Sequence, residues 1–225
     1  MITITLNALL ISCETTPFSL PLKKTEAIEL IDECLSAQSG GFTHYVSDVI
    51  KLHQQVEDSC NLSSECTFNS ADQNVEFNHE YASNYSYSLN CGNTGSKELS
   101  INLNASGSFE SPGLFSTDLI NANCHLIGQD NNQLEYILNG YYSREGILKS
   151  KATKEDFIYC LSLTLTDVLI SKNGNILSGT AKYILGGVSK GITSESFNYM
   201  GEIKFEDSKQ ATLTFLEKEY WLKID

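Results

Sequence analysis

Between residues 25 and 58 apolar side chains return every three or four positions; beyond Cys60 they return at every second one. The first period is that of a helix with one buried stripe, the second that of strands with one buried face. In TEAIELIDECLSA (25–37) the stripe is Ala27, Ile28, Ile31, Cys34 and Leu35. Thr25 is placed to cap this helix, Glu26 and Glu29 suit its positive end, and Gly40-Gly41 stop it. A second helix is predicted over about 43–58, with Tyr45, Val46, Val49, Ile50, Leu52 and Val56 on its apolar side. A link as short as SGG makes the two an αα-hairpin.

The alternating part predicts roughly eight strands, several longer than the usual five or six residues. Tyr85, Tyr87 and Leu89 alternate with serines, Leu99, Ile101, Leu103 and Ala105 alternate with polar residues, and Phe157 to Leu165 do the same. Further runs cover about 114–127, 133–143, 175–185, 195–206 and 210–223. Ser111-Pro112-Gly113 suits a type II turn and Lys172-Asn173-Gly174-Asn175 a type I′ turn. Strands joined so tightly are antiparallel neighbours. Gly107, Gly140, Gly179 and Gly201 fall inside strands, where glycine marks bends or bulges. The expected fold is α+β, mainly β. Two N-terminal helices pack on a long-stranded antiparallel sheet curved into a barrel or half-barrel, and residues 25–225 form one domain.

Ahead of that domain, Leu10-Ile11-Ser12-Cys13 closes the short apolar run MITITLNAL and precedes the polar, proline-containing stretch CETTPFSLPLKK. These four residues resemble a bacterial lipobox: a branched apolar residue, a variable one, a small one, then cysteine. The resemblance covers about the first twenty residues. It implies that the Cys13 thiol takes up a diacylglycerol, that the residues before it are removed, and that 1–24 are signal-like segment and tether. Acyl chains anchor a protein at ~0.8 kcal/mol per buried methylene. The implied address is the bacterial envelope at the outer membrane, with the periplasmic and the surface face both open. A first β-strand is the other reading, because Ile2, Ile4 and Leu6 alternate with threonines.

Charge and cysteine content narrow the classes. The 225 residues carry a formal charge of −13 with no basic stripe, which argues against nucleic acid as a partner. Of seven cysteines, six remain once Cys13 is set aside, an even number that suits an oxidising compartment. Cys60 and Cys66 flank a short polar segment and are candidates for a local disulfide, while Cys34, Cys124 and Cys160 read as buried free thiols. Zinc spacing is absent from the cysteines and histidines, so no metal is expected, and no motif for a cofactor is present.

Candidate catalytic motifs fall away in turn. GVSKG (187–191) matches a nucleophile elbow, but strand-like alternation follows Ser189 and the last histidine is His125. His44 and His53 lie nine apart on one helix and are expected on solvated or boundary faces; His79 and Glu80 are strand neighbours pointing to opposite sides. GQDNNQ (128–133) is oxygen-rich without calcium-loop spacing. Tyrosines are the more suggestive group: Tyr81, Tyr85, Tyr87, Tyr141 and Tyr142 are candidates to face a ligand from a concave sheet, stacking on sugars or covering acyl chains. Ordinary strand packing is the alternative for all five. The sequence thus favours a lipid-anchored, non-enzymatic protein that binds an amphiphile or glycan or serves as an interaction module. The alternative is a hydrolase of envelope lipid or polysaccharide.

Overall fold

A computed structural model describes residues 22–57, 59–73, 76–92, 97–128, 135–190, 194–207 and 209–224. Cys13 and its lipobox-like neighbours, and most of GQDNNQ, lie outside these residues. Helix α1 (Lys24–Leu35) is followed by a 3-10 turn (Ala37–Ser39) and helix α2 (Phe42–Val56). Ten strands then follow: β1 (Leu62–Gln73), β2 (Asn78–Cys91), β3 (Lys97–Glu110), β4 (Leu114–Gly128), β5 (Glu135–Ser150), β6 (Asp156–Ser171), β7 (Ile176–Ser189), β8 (Ser196–Phe205), β9 (Gln210–Phe215) and β10 (Lys218–Lys223). They make one antiparallel meander in which each strand lies beside its sequence neighbours. β1 and β10 are its two edges and do not pair with each other, so the sheet is open and the closed-barrel expectation is not met. Among the described residues no helix is long and apolar enough to cross a membrane.

The helices begin and end for local reasons. Helix α1 starts one residue before the predicted cap, so Thr25 lies in its first turn. The Glu26 carboxylate instead accepts the Lys23 backbone N–H at 3.2 Å. Gly40 takes the left-handed conformation (φ 64°) that reverses the chain between the helices.

Two strands were not separable by alternation. β1 (LSSECTFNSADQ) has only Leu62, Cys66, Phe68 and Ser70 half-buried, because an edge strand has a single neighbour and little core to meet. The run 210–223 is two strands, folded back at Leu216-Glu217, where both residues have positive φ (48° and 62°). That is the type I′ hairpin geometry, carried out without the usual Asn or Gly. The turns expected on glycine also differ. Gly113 has no positive φ, which excludes type II; its missing Cβ admits the Glu29 carboxylate, which would lie within 2.3 Å of one. At 171–175 only Gly174 is left-handed, giving a three-residue loop closed by Ser171 N–H to Asn175 O at 2.8 Å rather than a type I′ turn. Gly140 (φ 143°) sits at a register shift between β5 and β6, and Gly179 (φ 127°) lies opposite the shift around Asp167 on β6.

One face of the sheet is covered by α1 and α2. Tyr199 on β8 donates to the Leu22 carbonyl (2.9 Å), Ser150 on β5 to Glu26 (2.5 Å), and Tyr85 on β2 to Asp48 (3.2 Å). Phe42 of α2 packs edge-on against Tyr142 and beside Phe205. The disulfide joins Cys60 to Cys91, not to Cys66. Since Leu62 pairs with Leu89, the same register carried two residues further places Cys60 opposite Cys91. Cys66, six residues along an extended strand, is roughly 20 Å away from Cys60 and keeps a free thiol.

Candidate functional site

The covered face contains a charged pair with no access to solvent. Arg144 on β5 donates its Nε–H to Asp118 on β4 at 2.9 Å, and both side chains are fully buried. Asp118 also accepts from Tyr81 (2.7 Å), Tyr159 (2.8 Å) and Ser116 (2.8 Å). The rest of the guanidinium reaches the Glu33 carbonyl (3.4 Å), the Ser39 carbonyl (3.2 Å) and the Tyr81 hydroxyl, and lies 4.4 Å from the Phe109 ring centre. Burial works against charge on Arg144, but Asp118 and the phenols outweigh it and hold the guanidinium protonated. Two inward-facing glycines make the room: a Cβ on Gly107 would strike Tyr81, and one on Gly146 would strike Asp118. With its hydrogen bonds made internally, this cluster fixes the helices to the sheet and offers a ligand nothing.

Buried thiols are equally inert. Burial pushes Cys34 up to about 12 and Cys124 up to about 11, so neither is a thiolate at neutral pH.

The opposite face is open among the described residues and holds a groove of about 740 Å³ across β3–β6. Two adjacent cross-strand rows form it. One runs Ser108, Thr117, Ile147, Ile158; the next runs Ser106, Leu119, Glu145, Cys160. Phe115 closes one end. Leu119 is 50% and Ile147 44% exposed, well outside core values. A single such residue is ordinary, but contiguous ones mark an interaction surface. Cys160 lies here as a half-buried thiol, not in the core.

A second, smaller hollow of about 520 Å³ lies where α2 and the 3-10 turn meet β1 and β2. It gathers His44, Asp48 and Lys51 from the helix with Asp72 and His79 from the strands. Asp48 receives Lys51 at 2.9 Å and lies 3.5 Å from His44. The His44 and His79 rings meet edge to face at 5.6 Å. His79 Nδ1 lies 2.8 Å from the Gln38 carbonyl, so this nitrogen carries a proton and donates it. Burial lowers the His44 pKa despite Asp48, with His79 and Lys51 adding to the fall. Among the described residues no group of three or more His, Cys, Asp or Glu could hold a metal ion.

The tyrosines divide by face. Tyr81, Tyr85 and Tyr142 lie under the helices and are buried, so they face the core and not a ligand. Tyr87 is half-buried against the same core, and Tyr141 is exposed on the open face outside the groove. His53 is also a correction, buried against Tyr136 at 4.8 Å between ring centres. Ser189 ends β7, where its hydroxyl accepts the Glu195 N–H at 3.1 Å, and His125 Nδ1 lies exposed, 3.0 Å from the Glu98 carboxylate.

Arg144 and Asp118 were missed in the sequence although a signal existed. Each is a charge at an inward position of an alternating strand, and Arg144 is followed two residues on by the inward Gly146. In comparisons with known proteins, no family model, no curated protein and no solved structure matches this chain.

Proposed function

We propose that this chain is a lipid-anchored protein of the bacterial envelope, held at the outer membrane through Cys13, whose open sheet face binds an amphiphile without chemical turnover. The observation that carries the reading is the groove of about 740 Å³, within the size range of small-molecule sites. Its apolar residues, Phe115, Leu119, Ile147 and Ile158, suit an acyl chain, and Thr117, Ser106, Ser108 and Glu145 suit a polar head. The half-barrel form of the fold belongs to the same reading, supported by the bulges at Gly140 and Asp167, which bend long strands. The disulfide Cys60–Cys91 suits an oxidising compartment.

Lipid extracts of purified native protein, analysed by mass spectrometry beside a Leu119→Gln/Ile147→Thr variant, test it. Native protein carries an amphiphile; the variant loses it with an unchanged melting temperature. Equal lipid in both preparations, or none in the native one, overturns the reading.

One observation favours a hydrolase instead: His79, oriented through Nδ1 by the Gln38 carbonyl, shares a hollow with His44, Asp48 and Asp72. That reading requires turnover of an envelope lipid or glycan that His79→Gln abolishes.

A further inference from the structure

We infer that the β9–β10 hairpin lies against the bilayer surface beside the lipid anchor, with Leu216 and Trp221 as its contacts. This inference rests on the anchor proposed above. Three observations lead to it. First, the described chain begins at the hairpin. The Leu22 carbonyl is held by Tyr199, whose ring lies tilted against Phe215, the last residue of β9, at 4.7 Å between ring centres. The Lys24 ammonium lies 4.9 Å from the Tyr220 ring centre on β10. Only eight residues, 14–21, separate Cys13 from Leu22, and an extended residue spans at most ~3.6 Å. An anchored Cys13 therefore keeps this corner of the domain within about 30 Å of the membrane.

Second, the hairpin exposes apolar surface that does no packing. Trp221 is 71% exposed and Leu216 is 53% exposed. Trp221 alternates with Tyr220 and Leu222, which face the core side, so its indole is on the outward side of an edge strand. Indole rings belong at membrane–water interfaces, where one end is apolar and the other wet.

Third, the tip residue is chosen against its backbone. Leu216 occupies a left-handed position (φ 48°) that is strained for a non-glycine residue, and more than half of its surface stays exposed. Asn or Gly would make the same turn more cheaply. A leucine kept at a strained, exposed tip points to a contact outside the protein. Residues 216–223 carry Lys218 and Lys223 against Glu217 and Glu219 and sum to no net charge, so the contact is apolar rather than a cationic patch on anionic lipid.

Trp221 is the single tryptophan of the chain and reports on this site without labelling. The full chain, expressed in lipidated form, is reconstituted into vesicles of phosphatidylethanolamine and phosphatidylglycerol, with and without brominated acyl chains. The expected result is co-sedimentation with the vesicles, a blue shift of Trp221 emission, and loss of that emission in brominated vesicles. Leu216→Ser retains co-sedimentation and weakens the quenching. Co-sedimentation with unchanged emission overturns the hairpin contact and leaves the anchor standing. Absence of co-sedimentation overturns both. A blue shift that needs no vesicles and grows with protein concentration assigns the hairpin to a second copy of the chain and overturns the lipid contact.

Discussion

The same strands supply two faces that solve opposite problems. On the covered face, alternate residues of β4 and β5 include Leu114, Asp118, Ile120, Tyr142, Arg144 and Leu148, all buried beneath the helices. One position along, the open face has Phe115, Thr117, Leu119, Glu145 and Ile147, in contact with solvent or with whatever the groove receives. Charge is tolerated in the first setting only because Asp118 accepts four hydrogen bonds and Arg144 gives its own to fixed carbonyls. Apolar residues in the second are held by backbone pairing alone. The covered face therefore determines stability, and the open face is available to bind.

The largest test of that division is Arg144→Met. Removing one partner of a buried pair leaves an uncompensated carboxylate and is expected to cost about 3–5 kcal/mol, read from urea unfolding. Adding Asp118→Leu to this variant removes the unpaired carboxylate and should restore part of the loss, the remainder being the cost of leaving the Tyr81, Tyr159 and Ser116 hydroxyls without their acceptor. A single variant as stable as the native protein would mean that the pair does not secure the helices.

A second test uses Glu33, whose carboxyl burial raises from 4.5 to about 7, with Asp32 and Glu29 adding to the rise and Ser39 opposing it. The folded state keeps this proton where the unfolded state has lost it. Stability from the neutral acid is complete below pH 4.5 and is lost as pH rises through 7. A shift of this size corresponds to roughly 3 kcal/mol. Unfolding followed on both sides of that window should show the decline in native protein and a flatter profile in Glu33→Gln. His44 has the opposite sign: its lowered pKa makes acidification below 6.5 destabilising.

The smallest effect belongs to the open face. Met200 on β8 is 57% exposed, and Met200→Gln is expected to change stability by less than about 0.5 kcal/mol. A drop of the size expected for Arg144→Met would show that this face is buried in the working protein.

Periodicity alone located both helices and, in eight runs, nine of the ten strands, because a one-sided core writes itself into every second or fourth residue. It passed over β1, whose polar residues meet too little core to leave a pattern. It also ran through Leu216-Glu217, where tertiary pairing imposes a turn that neither residue type prefers. The tyrosines show the same limit. Alternation placed Tyr81 and Tyr85 on one face, but whether that face was covered depended on where two helices forty residues upstream came to rest.

What the sequence by itself determined was the two helices, the antiparallel succession of strands from β2 onward and the parity of the alternating runs, since these follow from local spacing and short turns. Only the tertiary structure decided which parity became core, that Cys60 meets Cys91, that His44 meets His79, and that Tyr199 holds the Leu22 carbonyl. Those are contacts between residues 31 to 177 positions apart. Their formation depends on register and packing summed over the whole sheet, which no local spacing contains.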